Sequence, residues 1–186
     1  MFKNQYLALL RGINVGGNNV IKMADLKACF EALGYTEVAT YIQSGNVLFA
    51  SEERDLNKLT TIIETELSNR FNYQSKIVLV TLNQLEAIIK NAPADFGSKP
   101  DEFKYDVIFL KAPLTSTKAI GFVTVRAGVD TALPGEDVLY FSRRADKLGQ
   151  SYLKKIITMP VYQEMTIRNW NTAGKLLELM KRETEQ

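Results

Sequence analysis

Apolar residues along this chain gather in short runs, and the spacing within the runs changes from an alternation of two to a helical three-or-four. Residues 5–11 read as an apolar strand. In residues 23–33, Leu26, Cys29 and Leu33 recur at helical spacing, and Gly34 marks the stop. The stretches 36–42 (TEVATYI) and 47–50 predict strands, 55–70 a helix and 75–81 (SKIVLVT) a strand. The first half therefore has the order βαββαβ.

A helix over 82–91 leads into NAPADFGSKPDE, whose prolines, glycine and acids interrupt both periodicities and mark a linker over 92–103. The pattern then partly recurs. Residues 104–110 predict a strand, 114–127 are ambiguous, and 137–142 predict another strand. Residues 148–158 predict a helix stopped by Pro160, and a last helix is expected near 167–182. The fold class expected is α+β, two tandem ferredoxin-like (βαββαβ-type) subdomains with antiparallel sheets, divided as 1–91, the linker, and a less regular 104–186.

That topology gives one loop a neighbour. The sheet order 4-1-3-2 places strand 1 beside strand 3, so the Gly/Asn-rich loop of residues 12–19 and the turn QSGN, Gln43 to Asn46, are expected at the same sheet edge. The loop is not a P-loop. Gly12 and Gly17 have the required separation, but Asn18 and Asn19 stand where lysine and Ser/Thr are needed. It lacks G-x-G-x-x-G as well. What it offers is backbone freedom at Gly12, Gly16 and Gly17, polar side chains at Asn14, Asn18 and Asn19, and cations at Arg11 and Lys22 flanking the start of a helix. No Ser or Thr immediately precedes that helix, and Asp25 is the alternative acceptor for its first N–H groups. The turn would add Gln43, Ser44 and Asn46. As a purely structural element, the same pattern is a loop and tight turn whose glycines and asparagines supply positive φ.

Composition then narrows the chemistry. With 186 residues, 46% of them hydrophobic, there is chain enough for a sizeable core. The complete absence of histidine removes imidazole bases, His-containing triads and His-ligated zinc, and the single Cys29, on an apolar helix face, is expected as a buried structural thiol. No metal, cofactor or catalytic residue is assigned. A net charge of +2 gives no strong field for polyanions. The apolar patch Tyr6 to Leu10 is interrupted by Arg11 before it could serve as a signal or membrane segment, which leads us to expect a cytoplasmic protein.

In TIRNWNTAGKLLELMKRE, Ile167, Trp170, Ala173, Leu176, Leu177 and Met180 follow helical spacing, so Trp170 is expected in the core with Thr166, Asn169 or Asn171 as cap. Arg168 is then either a solvated first-turn cation or a guanidinium held by an anionic partner. Arg143 and Arg144, with Asp146 and Lys147, read as a solvated loop after a strand.

The stretches ALLRGINVGGNNVIKMADLKACFEALGYTEVATYIQSGNVLF and TIRNWNTAGKLLEL resemble the bacterial family called domain of unknown function 1697. The resemblance implies an intracellular α+β protein of two similar ferredoxin-like subdomains, with no established activity, cofactor or substrate. Three functions stay open. The leading one is a cytoplasmic binding protein for a small anionic or nucleotide-like ligand at the Gly/Asn-rich loop, with Arg168 as an added contact. The second is a histidine-free enzyme acting on a phosphorylated substrate, with Arg11 or Lys22 as electrostatic stabiliser. The third is a protein or nucleic-acid interaction module, or a homodimer formed through an exposed strand edge. Sheet-face RNA binding is disfavoured, because GNVLFAS lacks the aromatic pattern of an RNA-reading strand. No membrane partner is expected.

Overall fold

The computed structural model describes residues 3–184. The chain forms two compact units, one running to Gln84 and resumed from Leu176, the other spanning Leu85–Lys175.

The first unit contains β1 (Asn4–Leu10), α1 (Met23–Ala32), β2 (Thr36–Tyr41), β3 (Asn46–Ser51), α2 (Leu56–Phe71) and β4 (Ile77–Thr81), and α3 (Leu82–Lys90) follows directly. Its four strands stand in the order β2-β3-β1-β4 with every neighbour antiparallel. On β1, Tyr6, Ala8 and Leu10 alternate onto the face that packs with Leu26, Cys29 and Phe30 of α1 and with Leu59, Ile63 and Leu67 of α2. Tyr35 closes this core, its ring 4.6 Å from that of Phe49. The Asp55 side chain starts α2 by accepting from the N–H groups of Asn57 (2.9 Å) and Lys58 (3.2 Å), and Asn72 ends it in the left-handed conformation. Cys29 is fully buried, and burial pushes its thiol pKa up.

The second unit repeats the plan with β5 (Phe103–Leu110), α4 (Ser116–Phe122), β6 (Asp130–Pro134), β7 (Val138–Arg144), α5 (Leu153–Ile157) and β8 (Met165–Asn169), before α6 (Trp170–Thr184). The order β6-β7-β5-β8 is the same 4-1-3-2 arrangement, again antiparallel throughout. Ile108, Leu139, Phe141 and Met165 meet Ala119 of α4 and Leu153 and Ile156 of α5 in its core. Both units are thus βαββαβ in form.

Several elements of this half differ from expectation. Residues 165–169 are a strand, pairing Leu110 with Met165 and Val107 with Arg168, and the last helix begins only at Trp170. Asn169 caps it, its Oδ1 accepting the Asn171 N–H at 3.0 Å. β6 follows the ambiguous stretch, and the helix expected over 148–158 shrinks to α5 behind a 3-10 turn at Ala145–Gln150. Residues 92–103 fold within the second unit. The Phe96 ring stands edge-on to those of Tyr105 (4.9 Å), Tyr140 (5.2 Å) and Trp170 (5.1 Å). Trp170 is partly rather than fully buried, and it packs so closely that a Cβ on Gly97 would lie 2.3 Å from its Nε1.

Candidate ligand site at the start of α1

The antiparallel register brings the end of β1 to the beginning of β3, with Leu9 opposite Asn46. The polar segments after β1 and before β3 meet there. Leu10 N–H donates to Gly45 C=O at 2.8 Å, and Asn14 Nδ2 donates to Gln43 C=O at 2.9 Å. Gly45 fits only as glycine: its φ is +74°, and a Cβ would come within 2.8 Å of both Ile13 and Leu10.

Asparagine side chains hold the loop. Asn14, itself at φ +53°, clasps Ile21 from both sides, accepting its N–H at 2.8 Å and donating to its C=O at 2.9 Å. Asn19 Nδ2 donates to Gly12 C=O at 2.9 Å, while its own C=O accepts the Asn14 N–H at 3.2 Å. Between them Val15 and Asn18 close a turn with Gly16 and Gly17 at its exposed tip. In the β2–β3 turn, buried Asn46 donates to Tyr41 C=O and Ser44 Oγ, both at 2.9 Å. Asn14, Asn19, Ser44 and Asn46 therefore build the edge; Gly12, Gly16, Gly17, Asn18, Lys22 and Gln43 are exposed, as is Asn19.

The cap of α1 is the chemical feature of this edge. Lys22 occupies the N-cap position with no side-chain cap, and the first intrahelical bond is Leu26 N–H to Lys22 C=O at 3.0 Å. The first-turn N–H groups, which a helix cannot satisfy internally, thus receive no side-chain acceptor. Asp25 lies in that turn, exposed, and does not cap it. Arg11 sits half-exposed at the end of β1, its N–H donating to Lys76 C=O at 3.0 Å. Lys76 itself is a cation that the sequence did not single out, with Nζ 3.8 Å from Glu64 Oε2. The 4-1-3-2 order was its only signal, because it sets the beginning of strand 4 beside the end of strand 1. Tyr73 belongs to the same neighbourhood: burial pushes its phenol pKa up, while Ser75 and the Arg11 charge pull it down. The edge also exposes Val15, Val20 and Ile42, the last in a left-handed conformation (φ +50°) unusual for a β-branched residue.

The model of the family described as "Protein of unknown function (DUF1697)" matches residues 3–140, which include this whole edge. The chain belongs to that family. A solved structure of a conserved bacterial protein from Streptococcus pneumoniae is similar to this DUF1697 chain, with 27% identity, a TM-score of 0.83, and coverage of 96% of this chain and 99% of that one. None of the curated proteins matches it. The match to the DUF1697 model stops short of Arg168, which lies in the second unit on β8, not on a helix. Its Nη1 donates to Thr166 Oγ1 (2.9 Å) and Ile167 C=O (2.8 Å), and burial draws its pKa down to about 10, so it remains a cation at neutral pH. Arg143 and Arg144 end β7 instead of occupying a loop; Arg143 pairs with buried Asp106 at 2.7 Å and Arg144 with exposed Asp146 at 2.9 Å. Among the described residues no helix is long and apolar enough to cross a membrane.

Proposed function

We propose that this DUF1697 protein binds a small anionic ligand, of the phosphate-bearing or nucleotide-like class, at the start of α1. The observation that carries the reading is the ten-residue helix α1 beginning without a side-chain cap directly behind a glycine loop that Asn14 clamps in place. An open helix N-terminus presents N–H groups and the positive end of the helix dipole to an anion. Lys22 at the cap and Arg11 at the end of β1 add positive charge. The hydrogen bonds of Asn14 and Asn19 stiffen the loop before any ligand arrives, which lowers the ordering cost of binding. Asp25 opposes an anion by its charge. Binding is the reading favoured over catalysis, because the edge offers donors and cations without a nucleophile and base held together.

The test is a thermal-shift series with inorganic phosphate, sugar phosphates and nucleotides. A ligand at about one hundred times its Kd stabilises the fold by roughly 2.7 kcal/mol. Lys22→Gln should reduce the shift and Asp25→Asn increase it. A series in which no phosphate-bearing compound raises Tm, or in which both variants respond as wild type does, contradicts the proposal.

A further inference from the structure

Strand β1 has a second functional candidate at its other end. The β1–β3 ladder ends at Asn4 and Ser51, and Lys3 and Glu52 are the residues just beyond it. Opposite charges that line one cavity can form an ion pair when they come within about 4 Å. Here they do not. Lys3 Nζ donates to Thr36 Oγ1 at 3.0 Å, and Glu52 is exposed with neither an ion pair nor a hydrogen bond among the described residues.

A cavity of about 360 Å³ opens beside them, with Lys3, Glu52, Leu33 and Tyr35 in its wall. That volume lies within the range of small-molecule sites, roughly 300–1,000 Å³. The wall is fixed. The Glu53 carboxylate accepts the N–H groups of Arg54 (2.9 Å) and Asp55 (3.0 Å) and pairs with Lys58 at 2.5 Å, while its C=O accepts the Tyr6 hydroxyl at 2.7 Å. Glu53 is thereby committed to the protein, and Glu52 is the carboxylate left for a ligand. Tyr35 packs its ring on Phe49 and has no hydrogen-bond partner for its hydroxyl among the described residues. Burial, with the Glu53 charge in support, pushes that phenol pKa up, so it stays a donor at neutral pH.

We infer that this cavity binds a small zwitterion of amino-acid type, its ammonium group on Glu52, its carboxylate on Lys3, and its apolar side chain against Leu33 and Tyr35. A ligand carrying both charges satisfies two neighbours that leave each other unpaired. A simple amine would leave Lys3 unanswered, and a simple acid would bring its charge against Glu52. The site is independent of the anion site at the start of α1.

Calorimetric titration of the full chain with leucine, leucinamide and N-acetylleucine tests the inference. Leucine should bind saturably, with the two singly charged analogues weaker by about fivefold, the scale of an exposed ion pair. Glu52→Gln should weaken leucine by a similar factor, and Lys3→Met should remove the preference for leucine over leucinamide; both side chains are exposed, so the variants keep the fold. No saturable binding of leucine, equal binding of leucinamide and leucine to the wild type, or an unchanged affinity in Glu52→Gln would each overturn the inference. Lys22→Gln, which tests the other site, should leave leucine binding unaltered.

Discussion

The Asn14 side chain joins two segments of the first unit, donating to Gln43 C=O at 2.9 Å while it holds both backbone groups of Ile21. Asn14→Ala removes all three bonds and leaves a residue with a Cβ at φ +53°. The expected loss is about 1–3 kcal/mol, measured by urea titration. A loss within experimental error would show that the loop does not depend on this clamp.

Gly45 and Gly17 both have positive φ, but in different surroundings. A Cβ on Gly45 meets Ile13 and Leu10 at 2.8 Å, whereas one on Gly17 meets nothing within 4 Å. Gly17→Ala should cost about 1 kcal/mol, the conformational term alone. Gly45→Ala should cost that and a further 1–3 kcal/mol or so of overpacking. Equal costs in denaturant titration would contradict the close approach of the β2–β3 turn to the end of β1.

Asp106 supplies a pH test in the second unit. Burial holds its carboxyl above the ordinary value of 3.8, with Arg143 pulling the other way. A raised folded-state pKa means that the folded protein holds this proton more tightly than the unfolded chain does. The resulting stability is complete below the unfolded pKa and is lost as pH rises through the folded one. Wild-type stability relative to Asp106→Asn should accordingly decrease as pH rises from 3.8. A relative stability that increases over that range would show the Arg143 charge, rather than burial, to dominate.

Gly97 and Trp170 should behave as one packing unit, since the Cβ introduced by Gly97→Ala would lie 2.3 Å from the indole Nε1. That substitution should cost about 2 kcal/mol or more in the wild type, through overpacking and the strained φ of +88°. In a Trp170→Ala background the overpacking disappears and the cost should fall by at least about 1 kcal/mol. Strictly additive losses would contradict the contact.

Much of this arrangement is written locally in the sequence. Leu26 and Cys29 on α1, the alternation through β1, and the glycines and asparagines of the loop identify their elements without tertiary information, and the 4-1-3-2 order then brings the loop to the QSGN turn. What the asparagines bond is less legible, because the partners of Asn14 lie seven and twenty-nine residues away. β8 was obscured by coincidence. Ile167 stands three residues before Trp170 and so extends the helical period backwards, yet Met165–Asn169 gains a full ladder with β5. β6 was obscured by its position at the sheet edge, where Thr131, Leu133 and Pro134 are exposed and no apolar alternation is required.

The claim that the start of α1 is an anion site is tested most directly by following backbone amide resonances during titration with inorganic phosphate. The N–H groups of Met23, Ala24 and Asp25, with those of Gly16 and Gly17, should shift along one saturable curve in the wild type, and the curve should move to higher phosphate in Lys22→Gln. Amides of the first turn that stay fixed while phosphate is raised, or shifts spread evenly over the lysine-bearing surface, would contradict it.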